Sequence, residues 1–109
     1  MRHAQTFPPN FQLTSAQLAE FCKKWQVAEF ALFGSVWRDD FSPQSDIDVL
    51  VTFEPEAKQS LFDLVHMRHE LSQMLGRPVD ILTKKSVEQN HNWLRKREIL
   101  ESAQVIYGS

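Results

Sequence analysis

Apolar residues along the 109-residue chain change their spacing several times, and each change marks an element. Leu18, Phe21, Cys22 and Trp25 recur at i, i+3, i+4 and i+7, the stripe of one helix face. Thr14 stands where this helix should begin. Gln17, three residues on, completes a capping box, and Leu13 can staple onto Leu18. Val27 to Phe33 is denser in apolar residues and reads as a strand stopped by Gly34. Ser35 to Phe41 predicts a short helix or turn, and Ser42-Pro43-Gln44-Ser45 a loop. Asp46 to Phe53 is the most strand-like segment of the chain. Beyond the Pro55 connector, Ser60 and Asp63 cap a helix running to about Leu75 and closed by Gly76. Its Leu61, Leu64, Val65, Leu71 and Leu75 are expected to face inward. Val79 to Leu82 is a third, short strand. A last helical region follows Lys84-Lys85-Ser86, breaks near Asn90–Asn92 and resumes from Trp93 to Ser102. Val105-Ile106-Tyr107 is an apolar tail that reads as a further strand or a docking segment.

The order α-β-(short α)-β-α-β-α predicts a two-layer α+β domain, a small mixed sheet with helices packed on one face. One domain is expected over residues 13–109, after an irregular lead-in at 1–12 where Pro8-Pro9 opposes helix. A chain of this size buries roughly two-thirds of its unfolded surface, too little to enclose a large site. Substrate is therefore expected on an open face, or in a site completed by a further subunit in a homo- or hetero-oligomer.

Charge narrows the partners. The net charge of −2 gives no global pull toward nucleic acid or an anionic membrane. Residues 76–109 carry six Lys/Arg against four Asp/Glu, so the acidic excess lies in residues 1–75. Cys22 is the one cysteine, which excludes an intrachain disulfide, and its place on the apolar stripe makes it core. No apolar run reaches the length of a membrane span, and the first residues lack the apolar centre of a signal peptide. A cytoplasmic location is the expectation.

The candidate chemistry lies in one stretch. Asp46 and Asp48 open the second strand, twelve residues after Gly34-Ser35. Side chains two apart on a strand share a face, roughly 6.5–7 Å apart, while Ile47, Val49 and Val51 fill the other. Two carboxylates so placed repel unless a cation lies between them. They suit a pair of divalent metals about 3.5–4 Å apart, the arrangement used for in-line attack on phosphorus. Asp80 is an acid set between Val79 and Ile81 in mid-strand. If that strand pairs with the second, about 4.8 Å away, Asp80 joins the other two. Three carboxylates can then hold two Mg²⁺ ions, with Mn²⁺ as a substitute, and Asp80 can accept the nucleophile's proton. Gly34 lets backbone N–H groups approach a phosphate, and Ser35 can add a hydrogen bond. Arg38, one turn on, can reach a phosphate oxygen.

With Gly34-Ser35, a loop, Asp46-x-Asp48 and the later strand acid Asp80, the chain resembles the minimal nucleotidyltransferases of the DNA polymerase β superfamily. The resemblance runs from the first helix to the C-terminal Arg97-Glu98-Ile99-Leu100-Glu101-Ser102. It implies a polymerase β-like nucleotidyltransferase fold, with Asp46, Asp48 and Asp80 catalytic and metal-binding. It also implies a Gly34-Ser35 turn that holds the β,γ-phosphates of a nucleoside triphosphate, ATP first among them. A HEPN-type toxin as partner is implied too, this chain being the antitoxin that transfers AMP to it. The family motif usually continues with a small residue and Arg-Gly; here Trp37-Arg38-Asp39 stands in that stretch.

Plainer readings stand beside these. Asp46 with Ser45 can form a turn, Asp80 can be an exposed edge-strand residue, Ser35 can cap a short helix, and Arg38 can be solvated. His66 and His69, at i and i+3, read as solvent-facing for want of a third ligand. Asn92 to Arg97 mixes aromatic and basic residues and reads as a solvated face with Trp93 tucked inward. Phe62, Met67 and Met74 form an apolar strip on the second helix, read as core or as partner contact. In place of an adenylyl-transferring antitoxin, the chain can be a catalytically silent antitoxin that acts by binding, or a small nucleotide-binding sensor.

Overall fold

The computed structural model describes residues 11–37 and 46–108. Its elements are α1 (Ser15–Trp25), β1 (Val27–Phe33), a 3-10 turn (Gly34–Trp37), β2 (Ile47–Phe53), α2 (Leu61–Leu75) and β3 (Val79–Thr83), then α3 (Lys84–Glu88), α4 (Trp93–Ser102) and β4 (Gln104–Tyr107). The four strands form one mixed sheet in the order β3-β2-β1-β4. β2 and β3 run parallel, joined through α2 as a parallel crossover requires, while β1 lies antiparallel to both β2 and β4. The apolar tail read as a strand or a docking segment is therefore a strand, β4.

Local chemistry sets both long helices. Thr14 Oγ1 accepts from the Gln17 N–H at 3.0 Å, and Gln17 Oε1 accepts from the Thr14 N–H at 2.9 Å. Ser60 and Asp63 repeat the device at the start of α2, the Ser60 N–H donating to Asp63 Oδ2 at 2.8 Å. Gly76 closes α2 in the left-handed conformation, φ 72°.

The core divides across the sheet. On one face Leu18, Phe21 and Cys22 of α1 and Met67 and Leu71 of α2 cover Phe30, Leu32, Ile47, Val49 and Val51, with Phe11 and Leu13 joining them. The opposite face is not bare. Ala31, Phe33 and Leu50 pack there with Val87 of α3 and Ile99 of α4. The expected layer on one face thus holds for α1 and α2, and the short α3 and α4 form a second, smaller cover. The cause is in β1 and β2, whose apolar residues face both ways and must be shielded on both sides.

Two expectations about helix faces need correction. Leu61 and Val65 do not face inward; they are 79% and 51% exposed, and Phe62 is 80% exposed. The buried stripe of α2 is Met67 and Leu71, with Leu64 and Met74 partly covered. Apolar residues occupy so many positions on α2 that the sequence permits two stripes, and contact with the sheet selects one. Trp93 is not tucked in either: as the first residue after the Asn92 cap it is 65% exposed, and Ile99 is the α4 residue that enters the core. His66 and His69 are exposed and Cys22 is fully buried, as expected.

Candidate active site

The mixed sheet brings three chain segments to one end. β2 and β3 are parallel, so both start there, while the antiparallel β1 finishes beside them. In this register Asp48 pairs with Phe33 on one side and with Asp80 on the other. Gly34, the residue after Phe33, therefore arrives next to Asp48. Asp46 immediately precedes β2 and is exposed. Asp80 lies on the edge strand and is exposed too, so the plainer edge-strand reading is correct as to place. That place nonetheless puts it beside Asp48.

Electrostatics report the proximity. Burial pushes the Asp48 carboxyl above its ordinary value, the negative charges of Asp80 and then Asp46 push it the same way, and Arg95 pulls it back. This is unbalanced negative charge on a rigid strand pair, the chemistry of a hard-cation donor set. Among the described residues no three acidic, His or Cys groups converge closely enough to cage an ion unaided. Asp48 and Asp80 are register partners, and Asp46 reaches Asp48 through its field. These oxygen donors are of the charge and ligand type that a divalent cation takes, with substrate oxygens and water left to complete the coordination.

Gly34 is held on two counts. Its φ of 77° is left-handed, and a Cβ there would lie 2.8 Å from Asp48 Oδ2. The glycine allows the turn and leaves room for the carboxylate. The Gly34 N–H donates to Ser102 Oγ at 3.3 Å, and the same hydroxyl donates to the Ile99 carbonyl at 3.3 Å. Trp37 is anchored by its indole N–H, which donates to the Leu32 carbonyl at 2.8 Å. Arg38, Asp39 and the side chain of Ser35 lie outside the described residues, so the phosphate contacts expected of Ser35 and Arg38 have no structural counterpart here.

A pocket of about 380 Å³ opens beside Asp48. Phe33, Gly34, Trp37 and Asp48 form one side of it, and Arg95, Glu98, Ile99 and Ser102 of α4 form the other. Sequence reasoning did not find this second wall. A faint signal was present, since residues 95, 98 and 102 fall at i, i+3 and i+7 and share one helix face beside the buried Ile99. Nothing local, however, connects that face to Gly34, 68 residues from Ser102.

Paired acids at the parallel strand starts, beside a glycine turn on a mixed sheet, define the nucleotidyltransferase fold. Comparison with known proteins agrees. A crystal structure of a toxin–antitoxin with AMP-PNP superposes with a TM-score of 0.67 at 16% identity, over 89% of this chain and 75% of that one. So does a tri-AMPylated Shewanella oneidensis HEPN toxin in complex with an MNT antitoxin, with a TM-score of 0.59 at 16% identity, over 86% of this chain and 69% of that one. At such identities these two establish the fold. The family follows from sequence: the profile of the nucleotidyltransferase domain matches residues 15–106. A protein of Methanocaldococcus jannaschii, provisionally named protein adenylyltransferase MJ0435, is 41% identical over 83 residues, covering 76% of this chain and 84% of that one. The chain belongs to the nucleotidyltransferase domain family and is a nucleotidyltransferase.

Proposed function

We propose that the protein moves AMP from ATP onto a hydroxyl of a partner protein, a HEPN-type toxin, and acts in this way as its antitoxin. The observation that carries the reading is the register of β2 with β3, which sets Asp80 beside Asp48 at the strand end where Gly34 also arrives. The relative named as a protein adenylyltransferase and the neighbouring toxin–antitoxin structures support the acceptor class.

Asp46, Asp48 and Asp80 would hold the divalent cations, Mg²⁺ or Mn²⁺. When bound, such ions polarise the phosphoryl oxygens and acidify the attacking hydroxyl. The chain itself supplies position and proton transfer. The Gly34-Ser35 turn receives the β,γ-phosphates, and Arg38 assists from the same stretch. Asp80 takes the proton of the acceptor hydroxyl as its oxygen forms a bond to the α-phosphorus. The bond from that phosphorus to the bridging oxygen breaks, and pyrophosphate leaves with the electron pair. The site lies open at the end of the sheet, so an acceptor side chain on a second protein can reach it.

Asp46→Asn separates catalysis from binding. It should leave the complex with the toxin intact, measured by co-purification, and abolish neutralisation of the toxin in cells. Neutralisation at the wild-type level by this variant would show that binding alone suffices.

A further inference from the structure

After Trp93 and Leu94, α4 carries three cations in a row, Arg95, Lys96 and Arg97, and two of them are engaged elsewhere. Lys96 Nζ donates to the Glu88 carbonyl at 3.1 Å, and Arg97 Nε donates to Glu101 at 2.9 Å along the exposed helix. Arg95 turns to the other side. It lines the pocket opposite Gly34 and Asp48, near enough for its charge to act on that carboxylate. Among the described residues it is the one cation lining the pocket, and no ion pair holds it. Its backbone is fixed, since the Arg95 N–H donates to the Asn92 cap at 3.2 Å.

We infer that Arg95 is a binding residue for the polyphosphate of the nucleotide, reaching it from α4 across the pocket from Asp48. The inference rests on the nucleotide-transfer reading and adds a residue to it. A triphosphate bound against Asp46, Asp48 and Asp80 carries more negative charge than the cations on the acids cancel. A guanidinium offers two parallel N–H donors that match two phosphate oxygens, and it stays charged at any working pH. Glu98, one turn further along the same wall, opposes phosphate binding, so the attraction from α4 rests on Arg95. α4 would then contribute to substrate binding as well as to the core, through Arg95 at its first turn and Ile99 beneath.

The alternative is that Arg95 only offsets the charge of Asp48 in the folded protein. Binding of ATP, of inorganic tripolyphosphate and of adenosine, each with Mg²⁺, separates the two. In Arg95→Ala the dissociation constants of ATP and tripolyphosphate should rise about 10-fold or more, with adenosine unchanged. Arg95→Lys should fall between, since it keeps the charge and loses the fork. Arg97→Ala should match the wild type, because that side chain pairs with Glu101 away from the pocket. Wild-type affinity of Arg95→Ala for tripolyphosphate would overturn the inference, as would equal weakening of ATP and adenosine. A wild-type protein that binds ATP while Arg95→Ala binds it equally leaves the transfer reading standing. A wild-type protein that binds neither ATP nor tripolyphosphate overturns both.

Discussion

Gly34 and Asp48 constrain each other, and each makes the other's mutation informative. Any side chain at 34 meets a left-handed backbone and the Asp48 carboxylate at once. Gly34→Ala should cost about 1–2 kcal/mol from the backbone alone, a fall in melting temperature of roughly 5–10 °C. It should also remove Mg²⁺-dependent nucleotide binding, because the displaced carboxylate is one of the proposed ligands. Asp48→Asn should behave in the opposite way in the metal-free protein. The Asp48 carboxyl titrates higher in the fold than in the unfolded chain, so its ionisation costs stability once the pH rises through the folded value. Removing that charge should raise the melting temperature without metal at neutral pH and abolish the further rise that Mg²⁺ gives the wild type. A lower metal-free melting temperature in Asp48→Asn would contradict the clustering of acids. Cys22 is the contrasting case. Burial pushes its thiol up to about 12, so it should resist thiol reagents in the native protein and react only on unfolding. Since the unfolded thiol ionises near 9.0, stability should decline as the pH climbs from there toward 12. Rapid labelling of native protein at pH 8 would disprove that burial.

At the scale of elements, what the sequence discloses is what local chemistry decides. Thr14 with Gln17, Ser60 with Asp63, and Gly76 are each satisfied within a few residues, so the starts of both long helices and the end of α2 were legible. The strands could be read from apolar density, and the acidic Asp46-x-Asp48 and Asp80 stood out because acids are costly within apolar strands. Rotation about the α2 axis was not legible. Leu61, Phe62, Leu64, Val65, Met67, Leu71, Met74 and Leu75 leave two apolar stripes, and only contact with Ile47, Val49 and Val51 chooses between them. That choice predicts a sharp contrast. Met67→Ala should cost about 2–5 kcal/mol, whereas Phe62→Ala should change stability by no more than about 0.5 kcal/mol, both measured by urea unfolding. Similar losses for the two would mean that α2 is turned the other way. The α4 wall was hidden for a related reason. Arg95 and Ser102 reach the site because β4 pairs with β1 and draws α4 over Phe33, a contact between distant parts of the chain with no local signature.

For the molecule as a whole, the mixed sheet places the proposed chemistry at an open end. Asp48 and Asp80 start two parallel strands, Gly34 leaves the antiparallel one, and α4 closes one side of a pocket that remains open to solvent. In the proposed reaction a 109-residue chain offers the acids and the glycine turn while another protein brings the acceptor hydroxyl. The charge pattern agrees with such a division, since the net charge of −2 provides no electrostatic attraction for a nucleic-acid acceptor. The most direct test of this account is transfer itself. Purified protein, α-labelled ATP and Mg²⁺ are incubated with an extract of the native host that contains the toxin partner, beside an Asp46→Asn/Asp48→Asn control. A labelled protein band, at the mass of the toxin, is expected with the wild type and none with the control. No label in the presence of abundant partner, or equal label in both samples, would contradict it.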